Sequence, residues 1–90
     1  MKEIHNKQYN GITLKLSQSL LSILQDAGIA HKETWPMEVE NGTTVRQVLM
    51  DQRINPLLVP MIFQDNKKIS LDTPIESDAV LILHGPLAGG

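Results

Sequence analysis

Ninety residues, 41% hydrophobic and 20% charged, are enough for one small folded core and too few for two. A formal net charge of −2, spread through both halves, and only three aromatics, Tyr9, Trp35 and Phe63, exclude the basic patch and stacking platforms of a nucleic-acid binder. The absence of cysteine excludes disulfides, thiolate metal sites and a cysteine nucleophile or persulfide on this chain.

The longest apolar run is too short to cross a membrane. The polar start Met1-Lys2-Glu3-Ile4-His5-Asn6-Lys7 carries no secretory signal, so the cytoplasm is the expected compartment. Residues 1–11 read as an N-terminal extension. Asn10-Gly11 is a turn dipeptide that would join a further strand to the next segment only if Ile4 and Tyr9 served as buried anchors.

From Gly11 onward Ile12, Leu14 and Leu16 alternate with Thr13, Lys15 and Ser17, the period of a half-buried strand. Ser17 is an N-cap residue for a short helix over 18–27, in which Leu20, Leu21 and Leu24 share a face and Gly28 is the stop. Residues 34–40 alternate again, with Trp35, Met37 and Val39 on one side, and Pro36 restricts them to an edge strand. Thr44 to Gln47 has capping-box spacing, and Val45, Val48 and Leu49 form the apolar stripe of the main helix, which Asn55-Pro56 ends.

Residues 58–63 form an apolar run interrupted by Pro60, and Asp65-Asn66-Lys67-Lys68 is a polar turn into a return strand at 69–71. After the turn chemistry of 72–78, residues 79–83 are apolar without alternation. This predicts a central strand buried on both faces and parallel to a neighbour. The order implies an α+β roll, a mixed sheet wrapped around one main helix, with the domain at 12–84 and a flexible arm at 85–90.

Little in this chain carries stand-alone catalysis. His5, His31 and His84 are scattered without metal-ligand spacing, so no metal site is expected. Glu38 and Glu40 fit a solvated, charge-protected edge better than an acid–base pair, and Asp72, Glu76 and Asp78 fit turn hydrogen bonding. Lys67-Lys68 marks an exposed hairpin tip or a contact for an acidic partner. No Ser-His-Asp order, phosphate-binding loop or dinucleotide fingerprint occurs.

The ending Pro86-Leu87-Ala88-Gly89-Gly90 follows directly on the most hydrophobic segment. Small residues at a chain end are commonly a frayed terminus. Two successive glycines, however, also let a backbone thread a channel too narrow for side chains. A free α-carboxylate is ionised at neutral pH and a poor electrophile, so chemistry at Gly90 requires activation, for example as an acyl-adenylate that a sulfur nucleophile converts to a thiocarboxylate. Phe63 is either a core residue or an anchor for a partner on an apolar sheet surface near the arm, and His84 either orients the arm or simply ends its strand.

This element order with a diglycine end resembles the ubiquitin-like β-grasp fold and, within it, the bacterial and archaeal sulfur-carrier family. That family includes the small subunit of molybdopterin synthase and the sulfur carrier of thiamine biosynthesis. The residues that carry the resemblance are Asn41-Gly42-Thr43-Thr44-Val45, Leu71-Asp72-Thr73-Pro74-Ile75 and the final pentapeptide. The helix after the first strand and the Pro-Leu-Ala-Gly-Gly end are more similar to the molybdopterin-synthase small subunit than to the thiamine carrier.

The resemblance implies that an E1-like adenylyltransferase activates Gly90 with ATP and magnesium, and that a desulfurase or rhodanese-type donor supplies sulfur. It also implies that the arm, Gly85, Pro86, Leu87, Ala88 and Gly89, inserts into a molybdopterin synthase large subunit, with this chain as its non-catalytic partner and no cofactor bound to it. Residues 12–16 lack the aromatics common in the family, Gly85-Pro86 stands where Pro-Pro is usual, and residues 1–11 have no clear counterpart. Three other readings stay open: a sulfur carrier for thiamine or another sulfur-transfer pathway, a protein modifier joined to lysines through Gly90, and a plain β-grasp interaction module with an inert tail.

Overall fold

The computed structural model describes residues 8–86. Five strands form one mixed sheet in the order β2-β1-β5-β3-β4. Strand β1 (Tyr9–Leu16) starts earlier than the alternation suggested. Asn10-Gly11 is not a turn but lies inside it, paired with Val39 and Glu38 of β2 (Thr34–Glu40), while Tyr9 is 55% exposed and anchors nothing. The side chain of Asn10 bonds Asn41 Oδ1 (2.9 Å) and the Ile75 carbonyl (3.2 Å), so it binds loops instead of turning the chain.

Ile12, Leu14 and Leu16 point into the core as expected, and the antiparallel register sets Met37 and Trp35 beside Ile12 and Leu14 on that same inner face. Pro36 is tolerated because β2 is an edge strand. Ser17 ends β1 and caps α1 (Gln18–Asp26), its Oγ accepting from Leu20 N–H at 3.3 Å. The helix buries Leu20 and Leu24 and ends at Gly28, whose φ of +81° allows paired terminating bonds from Gly28 N–H to Gln25 O (3.0 Å) and from Ile29 N–H to Leu24 O (2.8 Å).

The second helix, α2 (Val45–Asp51), buries Val45, Val48 and Leu49. Only half of the expected capping box forms. Thr44 Oγ1 accepts from Gln47 N–H at 3.2 Å, but the Gln47 amide reaches forward to Asp51 (2.9 Å) rather than back to the cap. The nine-residue α1 and the seven-residue α2 both contribute to one core. The entrance to α2 is laced to residues 71–75: Gly42 N–H bonds Ile75 O (2.8 Å), Ile75 N–H bonds Thr43 O (2.8 Å) and Val45 N–H bonds Thr73 O (3.1 Å). The two internal segments that carried the family resemblance therefore hold each other.

Asn55 caps a short 3-10 turn, Pro56–Leu58, so strand β3 (Met61–Gln64) begins later than the apolar run from residue 58. Asp65 (φ 49°) and Asn66 (φ 71°) alone make the hairpin turn, since two consecutive left-handed residues match the twist of the flanking strands. Pairing resumes at once, and β4 is Lys67–Ile69 instead of 69–71. Strand β5 (Ala79–His84) is central, parallel to β1 and antiparallel to β3.

One expectation fails on β5. Ala79, Leu81 and Leu83 are buried, but Val80 is 38% exposed and Ile82 half-buried. Both helices lie against the inner face, so among the described residues no layer covers the outer one. No helix among the described residues is long and apolar enough to cross a membrane.

Candidate functional site

The uncovered face of β5 and the root of the C-terminal arm adjoin. Alternation along β5 sends Val80, Ile82 and His84 outward, and the register pairs Ile82 with Phe63 and His84 with Met61 on β3. Phe63 is thus a half-buried residue of the outer face and not part of the core. Its ring meets the His84 imidazole edge-on, with centroids 5.6 Å apart and planes at 83°. The apolar strip runs between Lys15, paired with Ile82 on the β1 side, and Lys68, paired with Phe63 on the β4 side. Neither lysine has an ionic partner among the described residues. An apolar centre with free cations on both flanks complements a partner surface of apolar and acidic residues.

Gly85 follows His84 but is buried, its N–H donating to Ser17 Oγ at 3.0 Å, and Pro86 is half-buried. The packed body therefore includes Gly85, the first residue of the expected arm. Leu87, Ala88, Gly89 and Gly90 lie outside the described residues.

The remaining candidates separate from this site and from one another. His31 stacks near Trp35 at 4.8 Å, with Lys32 Nζ 5.7 Å from the indole, in the approach to β2. It does not join His84, and His5 is outside the described residues. No group of three or more His, Asp or Glu side chains among the described residues is arranged to hold a metal ion. Glu38 and Glu40 are both exposed on the edge strand. Asp72 pairs with Arg46 (3.1 Å), Asp78 accepts from Gly11 N–H (2.7 Å), and Lys67 is exposed at the hairpin. A shallow groove of about 320 Å³ is lined by Met50, Arg53, Ile54, Asn55 and Pro56, and it offers no acid, base or nucleophile.

Three members of the site carry no local signal in the sequence. Val80 and Ile82 were assigned to the interior because an all-apolar strand gives no sign of which face lacks a cover. Ser17 was recognised as a helix cap, but its second bond goes to a residue 68 positions away, and no local pattern encodes that.

No protein-family model matches the chain and no curated protein matches it in sequence. Solved structures do. The SAMP1 protein of Haloferax volcanii superposes with a TM-score of 0.65 at 16% identity, covering 90% of this chain and 100% of that one. The fold is the ubiquitin-like β-grasp. The Haloferax volcanii HVO 2177 protein matches equally well, with a TM-score of 0.65 at 14% identity over 99% of this chain and 94% of its own. A Pyrococcus furiosus protein named as molybdopterin converting factor, subunit 1, gives a TM-score of 0.59 at 15% identity over 87% and 99%. At these identities the likeness establishes the β-grasp architecture.

Proposed function

We propose that this β-grasp chain is a cytoplasmic sulfur carrier whose working group is the Gly90 carboxylate. The observation that carries the reading is the diglycine sequence following a strand whose outer face is apolar, uncovered and flanked by Lys15 and Lys68. That face is a docking platform beside the arm, and a partner that covers it would receive the arm in the same encounter. In this reading an E1-like adenylyltransferase uses ATP and magnesium. The carboxylate oxygen attacks the α-phosphate, pyrophosphate leaves, and the resulting acyl-adenylate accepts sulfur from a desulfurase or rhodanese-type donor as AMP departs.

The final step we favour is delivery of sulfur to a molybdopterin precursor within a large synthase subunit, with this chain as the non-catalytic small subunit. The name of the Pyrococcus furiosus neighbour supports that choice over thiamine or another sulfur-transfer route. A second reading, a modifier joined through Gly90 to lysines, draws support from a neighbour named small archaeal modifier protein 1.

The test is reconstitution with an E1-like enzyme, ATP, magnesium and a sulfur source, followed by a thiol-selective alkylating reagent and intact-mass measurement. The chain has no cysteine, so label that depends on ATP and disappears on deletion of Gly90 is expected. A folded chain that takes no label with a panel of such partners would count against the carrier.

A further inference from the structure

The hydroxyl of Ser17 serves two parts of the chain at once. It accepts from Leu20 N–H (3.3 Å), which caps α1, and from Gly85 N–H (3.0 Å) at the root of the arm. With both acceptor positions used, its own proton is free for Ser19 Oγ, 3.2 Å away. The backbone N–H of Ser17 in turn donates to Leu83 O (3.0 Å), so one residue ties down both ends of the span from 83 to 85. Gly85 lies against the first turn of the helix. A Cβ there would be 2.9 Å from the backbone nitrogen of Leu20, closer than real Cβ atoms approach, and a tight 3.0 Å from Leu20 Cα and from the Ser19 side-chain Oγ.

Simple strand termination does not require such a contact. We infer that Ser17 and Gly85 form a clamp that sets where, and in which direction, the C-terminal arm leaves the body, which makes Ser17 a positioning residue for chemistry at Gly90. This inference rests on the carrier reading above. With the clamp closed, the chain beyond it, residues 86–90, can span at most about 17 Å. With it open, the pivot slips back towards Leu83 and roughly 7 Å is added. The carboxylate then samples a larger volume, and its effective concentration at a partner's site falls. Once the arm is seated the partner holds it, so the cost appears in KM and not in kcat.

Ser17→Gly separates capping from clamping, because glycine is nearly as good an N-cap as serine but offers no oxygen to Gly85. Gly85→Ala opens the clamp from the other side, and Ser17→Thr retains the hydroxyl. Two readouts are needed: amide hydrogen exchange at Gly85, and ATP–pyrophosphate exchange by the E1-like enzyme that charges the wild-type chain. We expect slow Gly85 exchange in the wild type and about tenfold faster exchange in Ser17→Gly, with little change in melting temperature. KM should rise about fivefold, the equivalent of one hydrogen bond, while kcat holds. Ser17→Thr should restore both.

Wild-type KM in both Ser17→Gly and Gly85→Ala, or a freely exchanging Gly85 amide in the wild type, would overturn the clamp. A wild-type chain that no E1-like enzyme charges counts against the carrier reading instead. The clamp is then judged on Gly85 exchange alone, sustained if the amide is protected and overturned if it is not.

Discussion

Both helices end in the same hydrogen-bonded terminator, but with different residues in its left-handed position. In α1 the position is Gly28 (φ +81°), and in α2 it is Arg53 (φ 63°), with bonds from Arg53 N–H to Met50 O (3.0 Å) and Ile54 N–H to Leu49 O (2.8 Å). An L-residue in this region carries about 1–2 kcal/mol of steric strain, and glycine loses about 0.5–1 kcal/mol more backbone entropy on folding. Arg53→Gly should therefore stabilise the protein by about 0.5–1 kcal/mol, which for a domain of this size raises the melting temperature by roughly 2–8 °C. Arg53 has no ionic partner among the described residues that would offset this gain.

The reciprocal control is Gly28→Ala. Nothing lies within 4 Å of a Cβ placed there, so its cost is conformational rather than a clash. We expect a loss of about 1 kcal/mol. Urea denaturation followed by the fluorescence of Trp35, the chain's single tryptophan, measures both variants on one scale. If Arg53→Gly were neutral or destabilising, the arginine's stem or its charge at the helix C-terminus would outweigh the backbone strain, and the reasoning would be refuted.

Three further outcomes follow from the packing. Leu81→Ala removes a side chain with 0% exposure from the central strand and should cost about 2–5 kcal/mol by chemical denaturation. Arg46→Ala deletes an ion pair whose side chains are 46% and 76% exposed, so its effect should stay below about 1 kcal/mol and shrink further in salt. Val80→Ser on the uncovered face should leave stability within about 0.5 kcal/mol of the wild type yet weaken binding to the adenylating partner in a calorimetric titration. Unchanged affinity would remove that face from the docking surface.

Much of the architecture was legible because its signals are local. The alternation at Ile12, Leu14 and Leu16, the caps at Ser17 and Thr44, the stop at Gly28 and the edge-strand proline at residue 36 each act through neighbours in sequence. What escaped depended on which layers meet. Residues 79–83 are apolar throughout, and only the placement of both helices on one side shows that Val80 and Ile82 face outward. Lys67 and Lys68 read as loop because lysine is a poor strand former, but Asp65 and Asn66 complete the turn by themselves and leave the lysines to pair. Phe63 could have served either the core or the surface, and its register opposite Ile82 puts it on the surface. The diglycine was visible at once, whereas the reason for glycine at position 85, the backbone of Leu20, required the tertiary contact.

The most direct test of the central claim is fragmentation mass spectrometry of the chain recovered intact from the cells that make it, with the modification localised on the sequence. The carrier account predicts a fraction in which one oxygen of the Gly90 carboxyl is replaced by sulfur, lost when the adenylating partner is deleted. An isopeptide bond from Gly90 to a lysine of another protein, or an unmodified terminus in every fraction, would contradict it.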